Sequence, residues 1–136
     1  MANLKPALKA TLGQEGIYSK DPSDTGGETY MGISRNNFPK WAGWPIIDAA
    51  KLRSGFPKCL TSNLTLNSMV EQFYNKEFWT KIHGCQLINE KVAADIFDTA
   101  VNMGCIPAIK MAQQSVGLAE TGIMDMITIE TLNKVV

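Results

Sequence analysis

The chain has 136 residues, enough for one domain with a full apolar core and too few for two ordinary ones. Its 45% hydrophobic and 19% charged residues exclude a disordered segment. Thirteen Lys and Arg offset thirteen Asp and Glu, which argues against a non-specific nucleic-acid binder, since that role needs a concentrated positive field.

Residues 3–14 read as a helix, with Leu4, Leu8 and Leu12 recurring at i+4, Asn3 as a cap, and Gly13 and Gly16 as stop signals. Residues 19–32 hold turn-formers and little apolar periodicity, so a loop or small hairpin is expected there, near residues 24–33. Pro45 can open a short helix through Leu52. Thr65 is the expected cap of a helix carrying Leu66, Met69, Val70, Phe73 and Phe78 on one face and closed by Gly84. A helix over 89–103 has a broad apolar face of Val92, Ala93, Ile96, Phe97, Ala100 and Val101, ended by Gly104. Pro107 suits the first turn of a helix through Val116. Thr128 is the expected cap of a last helix. Its Ile129, Leu132, Val135 and Val136 should pack on a neighbouring helix or on another copy of the chain.

The expected class is mainly α, with a small loop or hairpin after the first helix. No apolar stretch approaches the roughly 18–20 residues of a membrane span. The first residues lack a basic segment followed by an apolar core, so the protein reads as made in the cytoplasm without a visible signal peptide. Cys59, Cys85 and Cys105 are widely spaced and His83 is the only histidine, so small, partly buried thiols are expected and no metal or other cofactor. The Lys and Arg residues are scattered and read as surface charge.

The segment richest in chemistry is Gln14-Glu15-Gly16-Ile17-Tyr18, followed by Asp24-Thr25-Gly26-Gly27-Glu28-Thr29-Tyr30-Met31-Gly32-Ile33. Glu15 continues the stripe of Leu12 in the last turn of the first helix. Partial burial and the negative helix end both disfavour its carboxylate, and a raised pKa suits a general acid. Read locally, a Glu before Gly at a helix end is usually a solvated residue, and Asp-x-Gly-Gly is ordinary turn chemistry.

These motifs resemble the signature of family 108 glycoside hydrolases, lysozyme-like N-acetylmuramidases known from phage endolysins and from bacterial proteins once labelled secretion activators. The family pattern is Glu-Gly-Gly-Tyr, then Asp-Pro-Gly-Gly-x-Thr-x-x-Gly-Ile. Phe73-Tyr74 with Phe78-Trp79 is similar to its Tyr…Tyr-Trp helix, and residues 97–104, Phe-Asp-Thr-Ala-Val-Asn-Met-Gly, to its Phe-Asp-x-Ala-Val-Asn-x-Gly block. Ala112-Gln113-Gln114, Val116-Gly117, Gly122 and residues 128–132 resemble its peptidoglycan-binding-like C-terminal segment. The chain departs from the pattern at Ile17, Thr25, Thr121 and Asp125-Met126.

The resemblance implies one lysozyme-like domain over 1–136, with a catalytic part at about 1–88 and a helical peptidoglycan-binding-like part at about 89–136 packed on it. It implies a peptidoglycan hydrolase, expected to be an endolysin acting on glycan strands at the cell wall or periplasm. The bond cleaved would be the β-1,4 link between N-acetylmuramic acid and N-acetylglucosamine, with Glu15 as proton donor. Asp24 is either the second carboxylate or a loop cap. Tyr18, Thr29, Tyr30, Tyr74, Asp98 and Asn102 are the expected substrate-binding residues. For Thr29 and Tyr30 the alternative is strand packing, for Tyr74 the core packing usual for aromatic rings, and for Asp98 and Asn102 a solvated polar stripe. The competing function is a non-catalytic wall-binding or regulatory protein on the same fold.

Overall fold

The computed structural model describes residues 2–12, 18–20 and 27–135. The chain divides into two compact units, Leu12–Gln72 and Met1–Thr11 with Phe73–Val136. The first residues thus join the helical unit that follows residue 72, whereas the expected parts met near residue 88.

In the first of these units, β1 (Tyr18–Lys20), β2 (Glu28–Tyr30) and β3 (Ile33–Ser34) form an antiparallel sheet in that order. Tyr18 faces Tyr30 across one ladder, and Tyr30 faces Ile33 across the other. Met31 and Gly32 close the second hairpin, both at positive φ (49° and 80°), as a two-residue turn of the primed type requires. The small hairpin expected near 24–33 is therefore present, and β1 adds a third strand to it. Helix α2 (Gly43–Ala50) buries Trp44, Ile47 and Ala50 at a three-residue spacing. The Trp44 indole N–H donates to the Phe38 carbonyl at 2.8 Å. A 3₁₀ turn at Lys58–Ser62 buries Leu60.

Helix α3 (Leu64–Tyr74) is capped by Asn63, whose Oδ1 accepts from the Leu66 N–H at 3.0 Å. The expected cap, Thr65, is instead an exposed first-turn residue. Asn and Thr both serve as caps, and Asn63 stands at the spacing from which a side chain reaches an N–H three residues on.

The helical unit starts with α1 (Leu4–Leu12), which buries Leu4 and Ala7. Its lead residue Ala2 donates from its N–H to the Leu87 carbonyl at 2.7 Å. Beyond α3 the chain widens into a π turn at Asn75–Trp79. Trp79 and Phe97 meet edge to face at 5.8 Å between ring centroids, and Tyr74 joins them at 6.2 Å from Phe97. Gly84 lies under this cluster, where a Cβ would collide with the Trp79 indole. Its role is therefore close packing in a 3₁₀ turn, Gly84–Gln86, rather than helix termination.

Helix α4 (Glu90–Met103) begins at Asn89, whose side chain accepts from the Lys91 and Val92 N–H groups. It connects to α5 (Cys105–Ser115) through Gly104 alone, at φ 101°, a conformation that side chains oppose. Helix α6 (Met126–Asn133) is capped by Asp125 and not by Thr128. Thr128 sits one turn in, buried, and donates both its N–H (2.9 Å) and its hydroxyl (2.6 Å) to Asp125 Oδ1. Those bonds hold the Asp125 carboxyl below its ordinary pKa, favouring the anion that a helix N-terminus prefers. Ile129 and Leu132 are buried as expected, Val135 is 39% exposed, and Val136 lies outside the described residues. Cys59 and Cys105 are half-buried, but Cys85 is exposed. Among the described residues, no helix is long and apolar enough to cross a membrane.

Gln113, 1% exposed, ties α5 to the approach and start of α6. Its Nε2 is 3.0 Å from Thr121 Oγ1, the Ile123 carbonyl and Thr128 Oγ1, and its Oε1 accepts from the Gly122 N–H at 3.0 Å. An apolar replacement leaves the Gly122 N–H without its partner. Gln113→Leu should lower unfolding free energy by about 1–3 kcal/mol. The exposed neighbour substitution Gln114→Leu should stay within about 0.5 kcal/mol. Urea denaturation of the two variants beside the parent checks this.

Candidate active site

Of the signature segment, Tyr18 and residues 27–33 are described, and they lie in the three-stranded sheet and its turn. Alternation along β2 turns Glu28 and Tyr30 to the buried face and leaves Thr29 half-exposed on the other. Glu28 is 7% exposed, and a carboxylate at that depth needs partners. It has three. Tyr18 donates its hydroxyl to Oε2 at 2.5 Å, Lys51 Nζ reaches the same oxygen at 2.6 Å, and Arg35 Nη1 donates to Oε1 at 2.8 Å. The partners come from β1, from the residue after α2 and from the residue after β3.

Asp48 closes the network on the other side. Arg35 binds it in a two-pronged fashion, Nη1 to Oδ1 and Nη2 to Oδ2, both at 2.8 Å, and Lys51 adds a contact at 3.0 Å. The Arg35 guanidinium also lies 5.1 Å from the Trp44 ring centroid. Two anions and two cations therefore share one cluster, with Tyr18 as a neutral donor.

The electrostatics follow from this packing. Burial pushes the Glu28 carboxyl up, but the bonds from Lys51, Tyr18 and Arg35 outweigh it and hold its pKa below the ordinary value. Hydrogen bonds from Arg35 and Lys51 hold the Asp48 carboxyl well below its usual range. Burial, followed by the bond to Glu28, raises the Tyr18 phenol to about 12. Glu28 is thus an ionised structural anion with both oxygens occupied. It is not suited to deliver a proton near neutral pH, because a general acid must begin protonated.

Of the expected site residues, Glu15 and Asp24 lie outside the described residues, as do Ile17 and Thr25. Tyr18 is half-buried, its hydroxyl proton committed to Glu28 and its ring set edge-on to Phe56 at 4.9 Å. Thr29 pairs with Ser19 across β1 and Ser34 across β3. Tyr30 is fully buried, with its hydroxyl 3.4 Å from the Leu60 carbonyl, so its ring is a core element rather than a sugar contact. The same correction applies to Tyr74. Its ring is 1% exposed and stacks on Phe78 at 5.8 Å, because aromatic area is most stabilising when fully desolvated. Burial also raises the Tyr74 phenol above its ordinary pKa. Asp98 and Asn102 are exposed one turn apart on α4, with the Asn102 amide donating to the Asp98 carbonyl at 2.8 Å.

Sequence reasoning passed over Glu28, Arg35, Asp48 and Lys51 as partners. Arg35 and Lys51 are not the plain surface charge expected of them. The legible signals were the period-two spacing of Glu28 and Tyr30 and the i,i+3 spacing of Asp48 and Lys51. Neither indicates which distant element the charges meet. Among the described residues, no three His, Cys, Asp or Glu side chains group to hold a metal ion.

The cluster makes a pH-dependent contribution to stability. Glu28 and Asp48 have native pKa values below their unfolded ones. Their contribution is complete above about pH 4.5, the top of the unfolded carboxyl range. It is lost as the pH falls toward the native values. Glu28→Gln should therefore flatten the loss of stability between pH 5 and pH 2. At pH 7 it should cost about 1–3 kcal/mol, less than a fully buried pair because Lys51 and Arg35 keep some access to water. Urea midpoints across this pH range measure both effects.

A comparison with curated proteins returns no match. Among solved structures, the chain is similar to that of Brucella abortus SagA, at 27% identity and a TM-score of 0.63, covering 96% of this chain and 68% of that one. The fold is mainly α and lysozyme-like. The match to the glycosyl hydrolase 108 family runs over residues 8–104, taking in the signature segment, the Glu28 network and α4, and on that span the chain belongs to the glycosyl hydrolase 108 family.

Proposed function

We propose that the chain is a muramidase that cleaves the β-1,4 bond between N-acetylmuramic acid and N-acetylglucosamine in peptidoglycan, acting on the cell wall as an endolysin. The observation that carries this reading is the family match across the Glu15–Ile33 signature. The charge-locked sheet supports it by pinning strands β1 and β2, which lie within that signature. Tyr18 follows Glu15 by three residues, and three peptide units reach at most about 11 Å. Asp24 lies in sequence between β1 and β2, the two strands clamped by the Tyr18–Glu28 bond.

In this mechanism Glu15 protonates the glycosidic oxygen as the bond to the anomeric carbon breaks, and positive charge spreads over the sugar ring in an oxocarbenium-like transition state. Asp24 stabilises that charge or orients the attacking water. Glu28, ionised and occupied, keeps the strands in place and takes no part in proton transfer. Thr29, on the half-exposed strand face, and exposed Asp98 and Asn102 are the remaining candidates for contact with the glycan.

Glu15→Gln should reduce lysis of purified murein by at least roughly two orders of magnitude, within the about 10²–10⁴-fold typical of general-acid assistance, with the melting temperature unchanged or slightly raised. Asp24→Asn should also cost activity heavily if Asp24 supports the transition state. Turbidity of murein stripped of outer membrane, read beside a pull-down on the same sacculi, decides the matter. A folded Glu15→Gln protein that lyses at the parent rate overturns the mechanism. Parent protein that binds sacculi without lysing them favours the non-catalytic wall-binding alternative.

A further inference from the structure

Helices α4, α5 and α6 leave an open groove of about 430 Å³ in the helical unit. Its volume falls in the range of about 300–1,000 Å³ that holds small ligands. Ile96, Ala108, Ala112 and Leu132 line it as buried apolar residues, and the two alanines, one turn apart on α5, leave the trough unfilled. Met111 adds a flexible thioether wall. Among the described residues, no Lys, Arg or aromatic side chain lines it.

The polar groups of the lining share one character. Asp95 presents an exposed carboxylate from α4 and makes no ion pair with a described residue. Thr99 already donates its hydroxyl to the Asp95 carbonyl at 3.0 Å, and Ser115 donates its own to the Ala112 carbonyl at 2.6 Å. What remains for a ligand is a carboxylate and hydroxyl lone pairs, all acceptors. Ser115 and Val116 also stand at the C-terminus of α5, the negative end of its dipole. An anionic or acceptor-rich ligand meets no donor here, and a sugar ring meets no aromatic platform.

We propose that this groove binds the side chain of a lysine residue on a peptide. Its aliphatic stem lies over Ala108, Ala112 and Leu132, and its ammonium is held by Asp95 with Thr99 and Ser115 as further acceptors. Charge complementarity singles out this occupant, because the ammonium carries three donors and no acceptor. The site stands apart from the muramidase reading, since its ligand is not a glycan and none of the signature residues lines it.

The test is an amide-resolved NMR titration of the whole chain with Nα-acetyl-lysine methylamide, beside its norleucine counterpart of similar stem and no charge. Saturable shifts at Asp95, Thr99 and Ser115 are expected with the lysine probe. Binding should be at least about fivefold weaker for norleucine, and equally weakened for lysine in Asp95→Asn, the loss of one charge-assisted contact. Asp95 is exposed, so this variant keeps its fold, which its own spectrum verifies. Three results overturn the proposal: no saturable shift with lysine, equal binding of norleucine, or Asp95→Asn binding as the parent does. Shifts at these residues that depend on protein concentration alone would instead assign the groove to a second copy of the chain.

Discussion

A carboxylate buried on the inner face of β2 sets the terms for the residues around it. Glu28 must find partners at that depth or lose its charge, and it finds them on three separate pieces of chain. Because Tyr18, Arg35 and Lys51 each meet it within hydrogen-bonding distance, sheet and helix cannot slide past one another without stranding a charge. A sheet of three strands, each two or three residues long, would be marginal by itself. Here its register is pinned by an ionic cluster as well as by its ladders.

The same cluster separates structural charge from reactive charge. In the family pattern, position 28 falls on the variable residue between Gly-Gly and Thr. This chain places there an anion that two cations and a phenol keep ionised. A carboxylate so well satisfied has no proton to give, and three of its four lone-pair directions are taken. The sequence positions with a plausible reactive role are those of the signature that are not consumed in this way, Glu15 and Asp24 first.

The helical unit solves a different problem. It buries aromatic area, with Trp79 and Tyr74 both against Phe97, and the buried Gln113 side chain bonds the irregular backbone before α6 at Gly122 and Ile123. The Asn133 side chain ties α6 back to the segment before α4, through the Ile88 N–H and the Gln86 carbonyl. With these bonds made, the last helix buries Ile129 and Leu132 although it has only eight residues.

By itself the sequence determined the helical class, the small hairpin, most helix positions and the family, because these rest on local information: apolar spacing, Gly and Pro punctuation, and a motif read in order. Gly104 as a helix end and Asn89 as a helix start were legible for that reason. Tertiary structure decided what local spacing cannot encode. Asn63 and Asp125 cap where Thr65 and Thr128 were also admissible by type, since the choice depends on where packing starts the helix. Tyr30 and Tyr74, amphipathic on paper, went to the core, because burying a large ring stabilises more than exposing it. Arg35 and Lys51 became partners of Glu28 only once β1, β2 and α2 were brought together, and a charge's partner at a distance in sequence is a property of the fold alone.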